Sequence, residues 1–155
     1  MDRDARRTPK ETAARWMSDH AHRQATLRVI LAASIVSTAL HFTHNFVAVD
    51  RYPQSDLISS EGVRVAILAS WPLLTAIGLL GYRLYSRRRY PAAHACLTLY
   101  SLTGIATLGH FLDGSPNIPA FWYATIFTDG LAGFTMLGFV ITSARSARSP
   151  QPARA

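Results

Sequence analysis

The sequence predicts an all-α integral membrane protein: an up-down bundle of four transmembrane helices, with both termini cytoplasmic and a short N-terminal amphipathic helix. Three observations carry this prediction. Apolar runs at about 27–49, 63–84, 92–112 and 118–142 are each long enough, at 1.5 Å per residue, to cross a hydrocarbon core of about 30 Å. The connections between them are only about 5 to 13 residues long, which sets consecutive helices antiparallel and side by side. The basic residues are also unevenly placed. Arg3, Arg6, Arg7, Lys10, Arg15, Arg23 and Arg28 precede or open the first run, Arg83 and Arg87 to Arg89 gather at the second connection, and Arg145, Arg148 and Arg154 form the tail. Only Arg51 and Arg64 fall on the other side. That bias is the positive-inside pattern, and it assigns a multi-pass protein of the plasma (inner) membrane.

The formal charge of +7 is accounted for by this topology and by attraction to anionic lipid, so the chain has no need of a nucleic-acid partner. A lone cysteine, Cys96 in the third run, excludes an internal disulfide and a thiolate metal cage and reads as a small core residue. The pattern resembles small four-span bacterial membrane proteins in general, and no motif narrows it to a family.

The chain divides into a basic N-terminal segment (1–26), the four-helix domain (27–142) and a disordered cytoplasmic tail (143–155). In the first segment, Thr8-Pro9-Lys10-Glu11 is a helix-start signal: a capping hydroxyl, a proline in the first turn and a glutamate at the capping-box position. A short interfacial helix is expected from Pro9, with Trp16 and Met17 at headgroup level and His20 and His22 solvated. The first run is too long for a signal-peptide core and has no small-x-small cleavage site before Asp50, so it is read as retained.

Within that run, Ser34, Ser37, Thr38, His41, His44 and Asn45 recur every three or four residues and share one helical stripe. Polar groups are costly in a bilayer unless they face protein or water, so the stripe should point into the bundle. The connection 50–62 is mildly acidic and outside. The second run carries Trp71-Pro72, where proline removes a backbone donor and can kink the helix. The third repeats the stripe pattern with Tyr100, Thr103, Thr107 and His110, and Asp113 follows one turn on. The fourth begins with Phe121-Trp122-Tyr123, an interfacial aromatic belt, and sets Asp129 deep within the span.

Counting inward from the outer ends places His110 about 3 Å, His44 about 8 Å, His41 and Trp71 about 12 Å and Asp129 about 17 Å deep. Four inward stripes therefore bring these residues to one cavity in the outer half. The ligand types suit zinc, copper or iron, with His41, His44, His110 and either Asp129 or Asp113 as the metal set. They also suit haem, with a first-helix histidine and His110 as axial ligands. Asp129, His41 and His110 are the catalytic candidates, and Trp71, Asn45 and Tyr100 would line a cofactor or ligand pocket. Redox or metal-assisted chemistry on a lipophilic substrate is the leading expectation. A metal-independent acid/base enzyme of isomerase or cyclase type is the alternative, followed by a small proton-coupled transporter or a non-catalytic scaffold that holds helix register by interhelical hydrogen bonds. Besides the bilayer and a lipophilic small molecule, a second copy or another membrane protein is an expected partner.

Overall fold

The computed structural model describes residues 8–52, 58–112 and 114–148, without the side chains of residues 9, 10, 12–15, 147 and 148. Four α-helices follow one another: α1 (Pro9–Val47), α2 (Ser60–Ser86), α3 (Tyr90–Ala106) and α4 (Ala120–Arg148). No strand occurs among the described residues. Short 3₁₀ turns extend α1 at Val49–Arg51 and α3 at Thr107–Phe111. Each helix packs against its sequence neighbour, and α4 closes against α1. The contacts are antiparallel throughout. The α1–α4 seam, for example, runs from Arg23 with Ser146 at one end, through Thr38 with Asp129, to His44 with Trp122 at the other.

The predicted cap at Thr8 forms: its hydroxyl accepts from the Glu11 amide at 3.3 Å, and the Glu11 carboxylate accepts from the Thr8 amide at 2.9 Å. The helix it starts is not a separate interfacial piece. It runs on unbroken into the first apolar run as one element of 39 residues, about 58 Å long. Nothing between Pro9 and Leu27 breaks helix, since no glycine or further proline occurs there. His20, expected to be solvated, instead pairs with the Tyr90 hydroxyl at 3.1 Å and stacks on Tyr85, because the longer helix carries it past the α2–α3 connection.

Among the described residues, three helical segments are long and apolar enough to cross a membrane: Trp16–Val47, Ser60–Ser86 and Ala120–Ser146. The third predicted span differs in kind. Its α-helix has 17 residues and then tightens into a five-residue 3₁₀ turn. The hydroxyls of Ser101, Thr103 and Thr107 each donate to a carbonyl three residues back, at 2.6–2.7 Å, in the stretch leading to the change of winding. Such bonds compete with the α-helical ladder and favour the tighter turn.

An apolar layer of Leu27, Leu31, Leu97, Met136, Phe139 and Val140 fills the bundle near its basic end. A smaller one, Tyr52, Ile118 and Ile126, seals the opposite end. There the Asn117 amide donates to the Arg51 carbonyl at 2.8 Å, tying the two end loops together. Between the layers, α3 and α4 touch backbone to backbone. A Cβ on Gly133 would come within 2.7 Å of the Ser101 carbonyl oxygen, and one on Gly104 within 2.8 Å of that of Asp129. These two glycines set the spacing that brings Asp129 against α3.

Candidate functional site

Five of the six residues of the α1 stripe face inward: Ser34, Thr38, His41, His44 and Asn45 are buried, whereas Ser37 is half-buried and bonds to Thr128 across the α1–α4 seam. From α4, Asp129 enters the same interior. His41 and Asp129 are each only 1% exposed, deep for side chains that can carry charge. The Thr38 hydroxyl donates to Asp129 Oδ1 at 2.6 Å, so α1 holds one carboxylate oxygen. The other, Oδ2, has no hydrogen-bond partner, nor do His41 Nδ1, Tyr100 Oη and Ser34 Oγ. Asp129, Tyr100, Ser34 and Thr38 line one small cavity with Gly104 and Gly133. Its volume of about 10 Å³ is close to the least that one water requires.

Above this cavity the imidazoles separate. His41 and His110 approach to 5.3 Å between ring centroids. The Asn45 amide donates to His110 Nε2 at 3.1 Å. His44 turns the other way, stacking on Trp122 with centroids 4.1 Å apart and pairing through Nδ1 with the Tyr52 hydroxyl at 2.8 Å. Tyr52 also lies 4.9 Å from the His110 ring, so it roofs both histidines. Burial pushes the Tyr52 phenol up to about 12, which keeps it a neutral hydrogen-bonding group at physiological pH.

No family model matches this chain, and neither a curated protein nor a solved structure does. The arrangement of side chains is therefore the ground for a functional reading.

The predicted metal set is not assembled. Among the described residues, no three of His, Cys, Asp and Glu gather closely enough to hold a metal ion. The cause is local. His44 turns its ring away to stack on Trp122, and the Asp129 carboxyl is held by Thr38, one turn deeper on α1 than His41. Asp113 lies outside the described residues. Of the residues expected to hold haem, His41 and His110 stand 5.3 Å apart between ring centroids, tilted by 55°. Trp71, expected to line the pocket, is 37% exposed on α2 and makes no ring contact or hydrogen bond among the described residues. The cluster is built by α1, α3, α4 and the 3₁₀ turns that follow α1 and α3, without α2.

Three participants escaped the sequence reading. Thr38 was visible on the stripe, but its bond to Asp129 depends on the rotation of α4. Trp122 has the pattern of an interfacial anchor, and its stacking on His44 follows from the crossing of α1 and α4. Tyr52 sits in a connection, where no periodicity marks an inward direction; the 3₁₀ turn Val49–Arg51 brings it back over the bundle.

Proposed function

We propose that this is a four-span membrane protein of the plasma (inner) membrane, with cytoplasmic termini, whose buried cluster is a metal-free acid/base centre. Asp129 and the His41–His110 pair exchange a proton with a lipophilic substrate that approaches from the bilayer. The observation that carries this reading is the pair of unpartnered, almost fully buried groups Asp129 Oδ2 and His41 Nδ1 in one half of one bundle. A buried polar atom without a hydrogen bond costs about 1–3 kcal/mol, so a purely structural cluster would be expected to satisfy it.

The membrane setting is supported by the outward faces. Val29, Val36, Leu68, Leu73, Phe121 and Leu131 are each more than 60% exposed, a density of apolar surface foreign to soluble monomers. An approach from lipid is supported by the Ser37 and Thr128 hydroxyls, which bond to each other at 3.0 Å on the open α1–α4 seam. They neighbour Thr38 and Asp129 in sequence, so a polar group on an otherwise apolar molecule would bond there, one residue from Asp129 and from the threonine that holds its carboxyl. Transport across the membrane is disfavoured by the apolar layer of Leu27, Leu31, Leu97 and Met136, which separates the cluster from the basic end.

The chemistry needs only that a carboxyl and an imidazole hold different protonation states and trade them, as general acid and base. Thr38 would orient the carboxyl, Asn45 would fix the His110 tautomer by donating to Nε2, and Tyr100 offers a hydroxyl inside the cavity. The test is proton uptake by the reconstituted protein after an external pH jump, followed with an indicator dye. Wild type should take up protons and keep doing so after exhaustive chelation, whereas Asp129→Asn and His41→Ala should each lose uptake. Uptake abolished by chelation and restored by a transition metal would overturn the metal-free assignment.

A further inference from the structure

The larger cavity lies at the opposite end, beside the basic α2–α3 connection. Its volume of about 120 Å³ is on the order of ten times what one water needs, and Trp16, Asp19, His20, Arg23, Arg88 and Tyr90 form much of its wall. The Arg23 guanidinium is held there by donating to the Ser146 hydroxyl at 2.8 Å. Tyr90 is fixed by His20, and its phenol, raised by burial and by Tyr85, is drawn back by the positive fields of Arg88 and Arg23. Neither arginine forms an ion pair among the described residues.

Arg88 is the unexpected member. Helix α2 ends in a Schellman motif: the Arg89 amide donates to the Leu84 carbonyl and the Arg88 amide to that of Tyr85, both at 2.9 Å. This motif puts its turn residue in the left-handed region, and Arg88 has φ 59°, the one positive φ of a non-glycine residue among those described. Glycine is the usual occupant, because any side chain is strained there. A cytoplasmic charge alone does not require it, since Arg87 and Arg89 on either side supply that without strain. What the strained position achieves is to bring a second, unpaired guanidinium to the wall that Arg23 already occupies.

We infer that this cavity binds a phosphate group, clamped between Arg23 and Arg88 with the Tyr90 hydroxyl as a further donor. Two guanidiniums in the wall of one cavity offer the paired N–H donors that suit phosphate oxygens, and Trp16 gives the cavity an apolar wall suited to what the phosphate is attached to. The group can belong to an anionic lipid headgroup or to a free phosphorylated solute. The inference is independent of the acid/base reading.

The experiment uses the full-length protein and two probes: inorganic phosphate titrated into the protein in a nonionic detergent, and phosphatidylglycerol retained from mixed phosphatidylcholine vesicles and counted by native mass spectrometry. Arg88→Gly removes the guanidinium and relieves the strained backbone, so it folds at least as well as wild type and separates binding from stability. Expected is a loss of about tenfold or more in affinity for one probe in Arg88→Gly and in Arg23→Gln, with an unchanged or higher Tm for Arg88→Gly and unchanged binding in Arg87→Gln. A loss confined to inorganic phosphate marks a solute site, and one confined to phosphatidylglycerol marks a headgroup site. Equal binding by Arg88→Gly and Arg87→Gln, or no binding of either probe by wild type, would overturn the inference.

Discussion

Near the basic end, His94 pairs with Ser143, which donates to the Tyr85 hydroxyl, while Tyr90 pairs with His20 and Gln24 donates to Ser86. Beyond Leu31, Leu97 and Met136, Asp129 Oδ2 and His41 Nδ1 have no partners, nor do Ser34 Oγ and Tyr100 Oη at the border with that apolar layer, in which Tyr100 itself packs. The orphaned buried side-chain atoms found among the described residues thus gather in and just above the Asp129 cavity. The two regions use the same kinds of residue and differ in whether their buried polar atoms are satisfied. Partner accounting, more than the presence of histidine, distinguishes them.

The comparison breaks most completely if the helix spacing is lost. Gly133→Val should push α3 from α4, because even a Cβ there falls within 2.7 Å of a backbone oxygen. We expect several kcal/mol of destabilisation, about the scale of severe overpacking, seen as a large fall in Tm in detergent and loss of monodispersity. A protein of unchanged Tm would mean that the close α3–α4 contact is not present. Next in size is Thr38→Val, which removes the single partner of the Asp129 carboxyl and should cost about 1–3 kcal/mol. Thermal unfolding of Thr38→Val beside Thr38→Ser, which keeps the hydroxyl, isolates that bond from the change of volume.

The satisfied half should respond differently. His94→Ala removes a bond to Ser143 and should cost about 1 kcal/mol while leaving proton uptake at the wild-type level. If uptake falls in His94→Ala as far as in His41→Ala, the two halves are one pathway and the apolar layer between them is no barrier. The smallest effect is expected for Trp71→Leu, which exchanges one exposed apolar side chain for another on α2 and should alter neither Tm nor uptake measurably.

Much of this fold was legible because its signals are one-dimensional. Apolar run length marks three helices long and apolar enough to cross a membrane, and the Thr8–Glu11 pair marks a helix start. Run length could not show that α1 continues unbroken from Pro9, because an Arg-rich helix and an apolar one differ in environment and not in backbone preference. Nor could it show the change of winding at Thr107, which depends on hydroxyls bonding to their own backbone. For the candidate site, a period of three and four residues fixed which face His41, His44 and Asn45 occupy. It carried no information on which way each ring turns, so it does not show that His44 stacks on Trp122 while His110 turns to Asn45. Asp129 was found because a carboxylate inside an apolar run is conspicuous, whereas Tyr52, in a loop without period, was not.

The central claim is that Asp129 is the group that carries the proton, with one oxygen held by Thr38 and the other free to exchange. Infrared difference spectroscopy of the carboxyl stretch, recorded on the reconstituted protein as external pH is varied, observes that group directly. Our account predicts a protonated-carboxyl band that titrates in wild type, disappears in Asp129→Asn, shifts in frequency in Thr38→Val when the hydrogen bond is lost, and is unmoved in His94→Ala. A wild-type protein with no titrating carboxyl band, or a band that persists unchanged in Asp129→Asn, would contradict it.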